Sequence, residues 1–393
     1  MNRGLVSNYA EQIRGVSYKP NDLHDGLDKD SVILLRANNI VDGRINFDDV
    51  VYVDRKKVSK SQYLQKGDVL ICASSGSKNL VGKAASVDFD TECTFGAFCK
   101  VVRPTKVIPE YLGLFFQSPG YRRKIAALSQ GANINNIKNE HIDSLQLAMY
   151  SEREQRQIIE CLTTVIAIIH ARKEELSKLD ELVKARFVEL FGNPEYNING
   201  WPTAKLGQLC TVGSSKRIYQ NEQSAEGIPF WRISDLVSKM DTGSVQSSLF
   251  IPEERYLELQ QQGLVPEPGD ILVTSRGTLG RCYIITPEDR FYFQDGMISW
   301  LSKYKNGITP LYLQYLFEMP GFRKQIDAMQ AGSTVAYLSI SMLKKLEVMI
   351  PDVESQVRFA TFVNQVDKSK AAVQKSLDEM QLLFDSLMQD YFG

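Results

Sequence analysis

Histidine is nearly absent from this chain: three residues in 393, His24, His141 and His170. So small a set leaves little material for histidine-based acid–base chemistry or zinc ligation. The six cysteines (Cys72, Cys93, Cys99, Cys161, Cys210, Cys282) are scattered, with no CxxC pair and no metal-like spacing to histidine. They read as reduced structural thiols of a cytoplasmic protein. No apolar run reaches membrane-spanning length, and the polar start over residues 1–8 lacks a signal-peptide core, so no membrane role is expected. A net charge of −1 does not advertise nucleic-acid binding, although phosphate binding needs a basic face and not a basic total. Proline and glycine are missing from two long stretches, 152–191 and 352–391.

What is present is a duplication. Residues 107–192 and 308–393 align at a constant offset of 201 without a gap, and both end in Phe-Gly. The pairs include Tyr111 with Tyr312, Pro119-Gly120 with Pro320-Gly321, Arg122 with Arg323, and Gly131 with Gly332. A period this long means a whole domain used twice, not a solenoid. The stretches without Pro or Gly carry apolar seams with coiled-coil spacing: Ile158, Leu162, Val165, Ile169, Leu176, Leu179, Val183, and then Phe359, Val363, Val366, Val373, Leu377, Met380, Phe384, Leu387, Tyr391. Ser151 with Glu154 forms a capping box, Pro351-Asp352 opens the second helix, and Gly192 supplies a stop. Arg172 and Lys370 interrupt the seams at equivalent places.

The remaining segments predict short strands in matched pairs: Val32–Leu35 with Pro229–Arg232, Asp68–Cys72 with Asp270–Val273, and Phe95–Val101 with Met297–Leu301. Two short helices follow in each half, Pro109–Phe116 and Tyr121–Ser129, then Pro310–Phe317 and Phe322–Gln330. The expected fold is α+β: two similar mixed α/β domains, 1–150 and 193–350, separated by two long antiparallel spacer helices, 151–192 and 351–393. Each helix has one apolar stripe, and the simplest burial pairs them as a coiled coil with an internal pseudo-twofold.

This order of motifs resembles the specificity subunit of type I restriction–modification systems. The matching residues are Gly200-Trp201-Pro202 before Leu206-Gly207-Gln208-Leu209-Cys210, then Gly269-Asp270-Ile271-Leu272-Val273 with Arg276-Gly277-Thr278-Leu279-Gly280, and Ala331-Gly332-Ser333-Thr334-Val335 before 346–351. The first half carries looser versions in Lys66-Gly67-Asp68-Val69-Leu70-Ile71, Ser75-Gly76-Ser77 and Gln130-Gly131-Ala132-Asn133. The resemblance implies two target-recognition domains, each reading one half of a split double-stranded DNA site across an unspecific gap. It implies a non-catalytic subunit that docks modification (methyltransferase) subunits, two of them, and restriction/translocase subunits. No cofactor is expected in this chain; S-adenosylmethionine, ATP and Mg²⁺ are expected on the partners. The competing classes are a methyltransferase carrying its own recognition region and a two-module protein-interaction scaffold.

Local chemistry favours recognition over catalysis. Asn193-Pro194-Glu195-Tyr196 superficially resembles an adenine methyltransferase motif, but it follows a helix stop, has Glu195 in place of the second proline, and reads as a turn. Gly76–Lys83 departs from P-loop spacing, and Pro287-Glu288-Asp289-Arg290 reads as a hairpin turn. The DNA-reading candidates are Thr274, Ser275, Arg276, Thr278 and Arg281 in the second domain, and Ser74, Ser75, Ser77, Lys78 and Lys83 in the first. Arginine can fork onto guanine, and small hydroxyls serve bases or phosphates; the alternative is an ordinary solvated hairpin. A second group follows the paired helices: Arg122, Arg123 and Lys124 with Asn133, Asn135 and Asn136, and Arg323 and Lys324 with Ser333, Thr334 and Tyr337. Arg122 and Arg323 are equal in both halves and read equally as architecture, as do Arg36 and Arg232 at strand ends. Residues equal in both halves are expected to be scaffold or phosphate contacts, and those that differ to set the two half-sequences.

Overall fold

The computed structural model describes residues 2–77, 79–130, 136–330 and 336–393. Two compact units emerge, Met1–Glu174 with Gln374–Gly393, and Glu175–Val373. Each therefore combines a mixed domain with the beginning or end of both long helices.

Those helices are Glu152–Phe191 and Val353–Phe392. The first opens on the expected capping box: Ser151 N–H donates to Glu154 Oε2 at 2.8 Å, and Glu154 N–H to Ser151 Oγ at 3.3 Å. The second is capped by Asp352, whose carboxylate accepts from Ser355 N–H at 2.7 Å. Gly192 ends the first in the left-handed region, φ 81°. In the first unit Ile158 and Leu162 share a core with Met388 and Phe392. In the second, Val183, Phe187 and Phe191 share one with Phe359, Val363 and Val366. Within each unit the start of one helix thus lies with the end of the other, an antiparallel arrangement. Leu176, Leu179, Leu377 and Met380 of the expected seams are only half-buried. Lys370, one of the seam's interruptions, pairs with Asp180 of the other helix.

In the first unit a four-stranded antiparallel sheet runs Ala10–Arg14, Cys99–Pro104, Val69–Cys72, Ala84–Ser86. A second sheet sets Cys93–Phe95 parallel to Ser31–Leu35, followed by Val51–Asp54 and Leu23–His24. The second unit repeats this plan. Its first sheet runs Thr211–Gly213, Ile298–Ser302, Ile271–Thr274, Cys282–Ile284, and its second sets Ile228–Trp231 parallel to Tyr292–Phe293 with Phe250–Ile251 on the other edge. A two-stranded ribbon closes each domain, Asn2–Leu5 with Gln146–Met149 and Thr203–Lys205 with Glu347–Met349.

The duplication extends to single hydrogen bonds. Tyr111 and Tyr312 hydroxyls, buried in aromatic clusters, donate to the carbonyls of Ala148 and Met349 at 2.8 and 3.1 Å. Gln155 and Gln356 amides donate to the carbonyls of Tyr150 and Pro351, and their oxygens accept from the backbone of Ile108 and Thr309. Each of these pairs keeps the 201-residue offset.

Three sequence expectations need correction. Phe95–Val101 is not one strand: Cys93–Phe95 and Cys99–Pro104 belong to different sheets, because the chain turns at 96–98 to cross between them. Pro287–Arg290 is a turn but closes no hairpin, since it links Cys282–Ile284 in one sheet to Tyr292–Phe293 in the other. The second domain also contains two helices absent from the sequence reading, Ile233–Thr242 and Glu253–Gln261. Among the described residues, no helix is long and apolar enough to cross a membrane.

Candidate nucleic-acid interface

The loop that follows Val69–Cys72, and its counterpart after Ile271–Thr274, are held by the same device in both units. Arg122 donates to the carbonyls of Val81 at 2.8 Å and Asn79 at 3.0 Å. Arg323 donates to those of Leu279 at 2.7 Å and Phe317 at 3.3 Å. Gly82 (φ 80°) and Gly280 (φ 72°) reverse the chain beside these guanidiniums, where a Cβ would meet Ile125 at 2.8 Å and Ile326 at 2.9 Å. Both arginines are loop clamps in this structure, the architectural side of their two readings.

The loops also meet the second group of candidates. Ser74 forms a β-bridge with Asn136, and Arg276 forms one with Tyr337. Adjacent backbone bonds recur too, Ile137 N–H to the carbonyl of Ala73 at 2.7 Å and Leu338 N–H to that of Ser275 at 2.9 Å. Two sequence segments some sixty residues apart therefore form one polar cluster in each unit.

Within these clusters the named residues separate by exposure. Thr274 and Ser275 are 0% and 1% exposed. The Thr274 hydroxyl donates to the carbonyl of Thr278 and accepts from Arg281 N–H, while that of Ser275 pairs with Ser299 at 2.8 Å. Burial removes both from the outward surface, so they shape the loop instead of presenting a base-reading hydroxyl. Arg276 and Thr278 are exposed, and the Arg276 guanidinium makes no hydrogen bond or ion pair with any described residue. In the first unit Ser77 and Asn136 are exposed, Ser74, Ser75 and Lys83 are partly so, and Ser75 Oγ accepts from Ser77 N–H at 3.2 Å.

The other basic candidates are engaged inside their own units. Arg36 pairs with Asp49 at 3.0 Å, Arg281 with Asp241 at 2.6 Å, and Lys324 with Glu195 at 2.7 Å. Arg123 donates to Gln389 at 2.6 Å, and Arg232 contacts Asp235 at 3.5 Å and Ser248 at 3.4 Å. Lys124 is exposed. Lys78, Asn133, Asn135, Ser333 and Thr334 lie outside the described residues. Asn193–Tyr196 is a turn, with Asn193 Oδ1 accepting from Glu195 N–H at 2.9 Å.

Two grooves escaped the sequence reading. In the first unit a groove of about 310 Å³ opens beyond Ser31–Leu35 and Cys93–Phe95, lined by Tyr18, Arg36, Asn38, Ser74, Ser75 and Phe98. In the second unit a groove of about 410 Å³ opens beyond Ile228–Trp231 and Tyr292–Phe293, lined by Arg217, Gln223, Arg232, Gln294 and Met297. Of their lining, Arg36, Ser74, Ser75 and Arg232 carried a signal in the sequence. Phe98 was hidden inside what read as one apolar strand, and Gln294 sits in no motif.

Burial pushes the Cys93, Cys99 and Cys210 thiols up to about 12, where a thiolate nucleophile is disfavoured. Among the described residues no group of three or more His, Cys, Asp or Glu could hold a metal ion. What the two clusters offer is hydrogen bonding, charge and shape.

Fold and site together define a duplicated α+β protein with one polar loop cluster per unit. The profile of the family described as "Type I restriction modification DNA specificity domain" matches residues 28–179 and 198–381. The chain is 41% identical to the type I restriction enzyme StySPI specificity subunit of Salmonella potsdam, covering 98% of this chain and 86% of that one. It is 28% identical to the EcoKI specificity subunit of Escherichia coli (strain K12), with the same coverages of 98% and 86%. A solved chain of a type I R-M system superposes with a TM-score of 0.58 at 16% identity, covering 100% of this chain and 97% of that one. The chain belongs to the type I restriction–modification specificity-subunit family.

Proposed function

We propose that the chain reads a bipartite, asymmetric DNA sequence across an unspecific gap, one loop cluster for each half. Within a type I restriction–modification complex it is the DNA-recognition subunit and carries no catalysis of its own. It works with methyltransferase and restriction subunits, and the cofactors of those reactions, S-adenosylmethionine, ATP and Mg²⁺, would sit on the partners. Two methyltransferase subunits match the duplication, one per repeat.

One observation carries the reading. The clamps, bridges and caps recur at equivalent places in both units, whereas the exposed or partly exposed residues on the loops differ: Ser74, Ser77 and Asn136 in one, Arg276, Thr278 and Tyr337 in the other. A common mount with unlike tips suits one operation applied to two sequences. Arg276, exposed and unengaged, is the strongest base-reading candidate, by bidentate bonding to a guanine edge. Lys83 and Lys124 suit phosphates. The two helices would act as the spacer: at 1.5 Å per residue, forty residues extend about 60 Å.

The test is genome-wide mapping of methylated adenines in a host carrying the assembled complex, with and without this chain. A split motif that disappears with the chain supports the reading. Methyl transfer by the purified chain alone, or methylation without a split motif, overturns it. Binding to duplex DNA by the complex should also weaken steeply with salt.

A further inference from the structure

The two grooves occupy one position in the repeated fold, and this can be fixed by backbone bonds. Gly96 N–H donates to the carbonyl of Leu35, the last residue of its parallel strand, at 2.9 Å. Gln294 N–H donates to the carbonyl of Trp231, the last residue of the matching strand, also at 2.9 Å. One unit therefore has a glycine where the other has a glutamine. The next match lies two residues later in the first unit and three in the second. The Phe98 carbonyl accepts from Ala73 and Ser74 N–H, and the Met297 carbonyl accepts from Ser275 N–H, all at 2.9 Å.

The same mount thus carries unlike chemistry. Around Gly96 the space is taken by Leu34 and Tyr18, whose side chains come within 3.3 and 3.5 Å of where a Cβ would stand. Beside it Phe98 is 70% exposed although its carbonyl is held by two consecutive backbone N–H groups. In the second unit the Gln294 and Gln223 side-chain amides are partly exposed and make no hydrogen bond with any described residue. Each groove has an arginine at its mouth, Arg36 or Arg232, tied to a neighbouring carboxylate. An exposed ring and a pair of amides with no partner among the described residues are free to contact base edges.

We propose that these grooves are base-discriminating sites, Phe98 packing on a thymine methyl in one half-site and Gln294 bonding to the N6/N7 edge of an adenine in the other. The proposal rests on the bipartite reading given above and adds residues to it. Apolar contact with the thymine methyl and bidentate amide bonding to adenine are the pairings that major-groove geometry allows these side chains.

The experiment compares methylation maps of hosts carrying the complete complex with wild-type chain, Phe98→Ala or Gln294→Ala. Phe98→Ala should relax preference on the order of tenfold at a thymine position in one half and leave the other half unchanged. Gln294→Ala should do the same at an adenine position in the other half. Neither side chain is part of a buried core, so both variants should keep the wild-type unfolding temperature. A wild-type map with a split motif, together with variant maps that keep every base preference, overturns this inference while sparing the bipartite reading. So does a Phe98→Ala variant that loses stability without losing preference. A wild-type map with no split motif overturns the reading itself.

Discussion

Asp68 immediately precedes the strand that delivers the first unit's loop, and the mount of its carboxylate gives a quantitative test. Asp68 is 1% exposed and receives two bonds from Arg103, Nε to Oδ1 and Nη2 to Oδ2, each at 2.8 Å. Gln65 N–H adds a third at 2.8 Å, and Arg103 Nη2 also reaches the carbonyl of Tyr63 at 2.9 Å. Asp68→Ala would leave a largely buried guanidinium without its counter-charge, a loss worth about 3–5 kcal/mol. For a unit of about 190 residues, at 2–4 °C per kcal/mol, unfolding should fall by roughly 6–20 °C. The fall should appear as early proteolysis and fast amide exchange within the first unit. Arg103→Leu combined with Asp68→Leu should recover much of the loss, because the apolar pair leaves no stranded charge. A coupling between the two sites below about 0.5 kcal/mol would refute the claim that they act as one buried ion pair. The equivalent carboxylate in the second unit is held differently, by Trp300 Nε1 at 2.8 Å and Glu267 N–H at 3.0 Å, so Asp270→Asn, which keeps an acceptor oxygen, should cost far less.

Three further outcomes follow from the geometry. Burial raises the Asp270 carboxyl above its ordinary value, so the folded state binds that proton more readily than the unfolded chain. Stability from this group should therefore fall as pH rises through the range between the two values, and Asp270→Asn should flatten that part of a urea-midpoint profile; an unchanged profile refutes the assignment. Arg276→Ala should weaken one half-site by about 1–3 kcal/mol with little change in unfolding temperature. Arg323→Ala should instead lower stability, because it frees the loop carbonyl of Leu279 and the helix-end carbonyl of Phe317; equal base-reading effects from both would dissolve the distinction between tip and clamp. Four residues inserted into each long helix add about 6 Å of rise, so the methylated motif should gain one or two base pairs of gap with both half-sequences unaltered. Changed half-sequences at a constant gap would count against the spacer role.

The sequence determined on its own whatever depends on local spacing. Forty residues without Pro or Gly, bounded by Ser151 with Glu154 and by Gly192, have little choice but a capped helix, and the apolar period settles which face is buried. The 201-residue offset likewise predicted that one fold is used twice, down to Tyr111 and Tyr312 making the same bond. Helix Ile233–Thr242 was legible in Ile233, Leu236, Val237 and Met240, a period that went unread because the first half has no counterpart.

Other features were decided only when distant segments met. Nothing around Phe95–Val101 announces that the chain changes sheets at 96–98, since sheet membership is fixed by partner strands about sixty and thirty residues earlier. Burial of Thr274 and Ser275, whose residue types look outward-facing, depends on Ser299 and on the strand beside them. The clamp role of Arg122 depends on loop carbonyls some forty residues away, and the pairing of Ser74 with Asn136 spans about sixty. Periodicity is local and survives in one dimension. Partnership among polar groups is a matter of which surfaces close together, and only the folded chain brings those surfaces into contact.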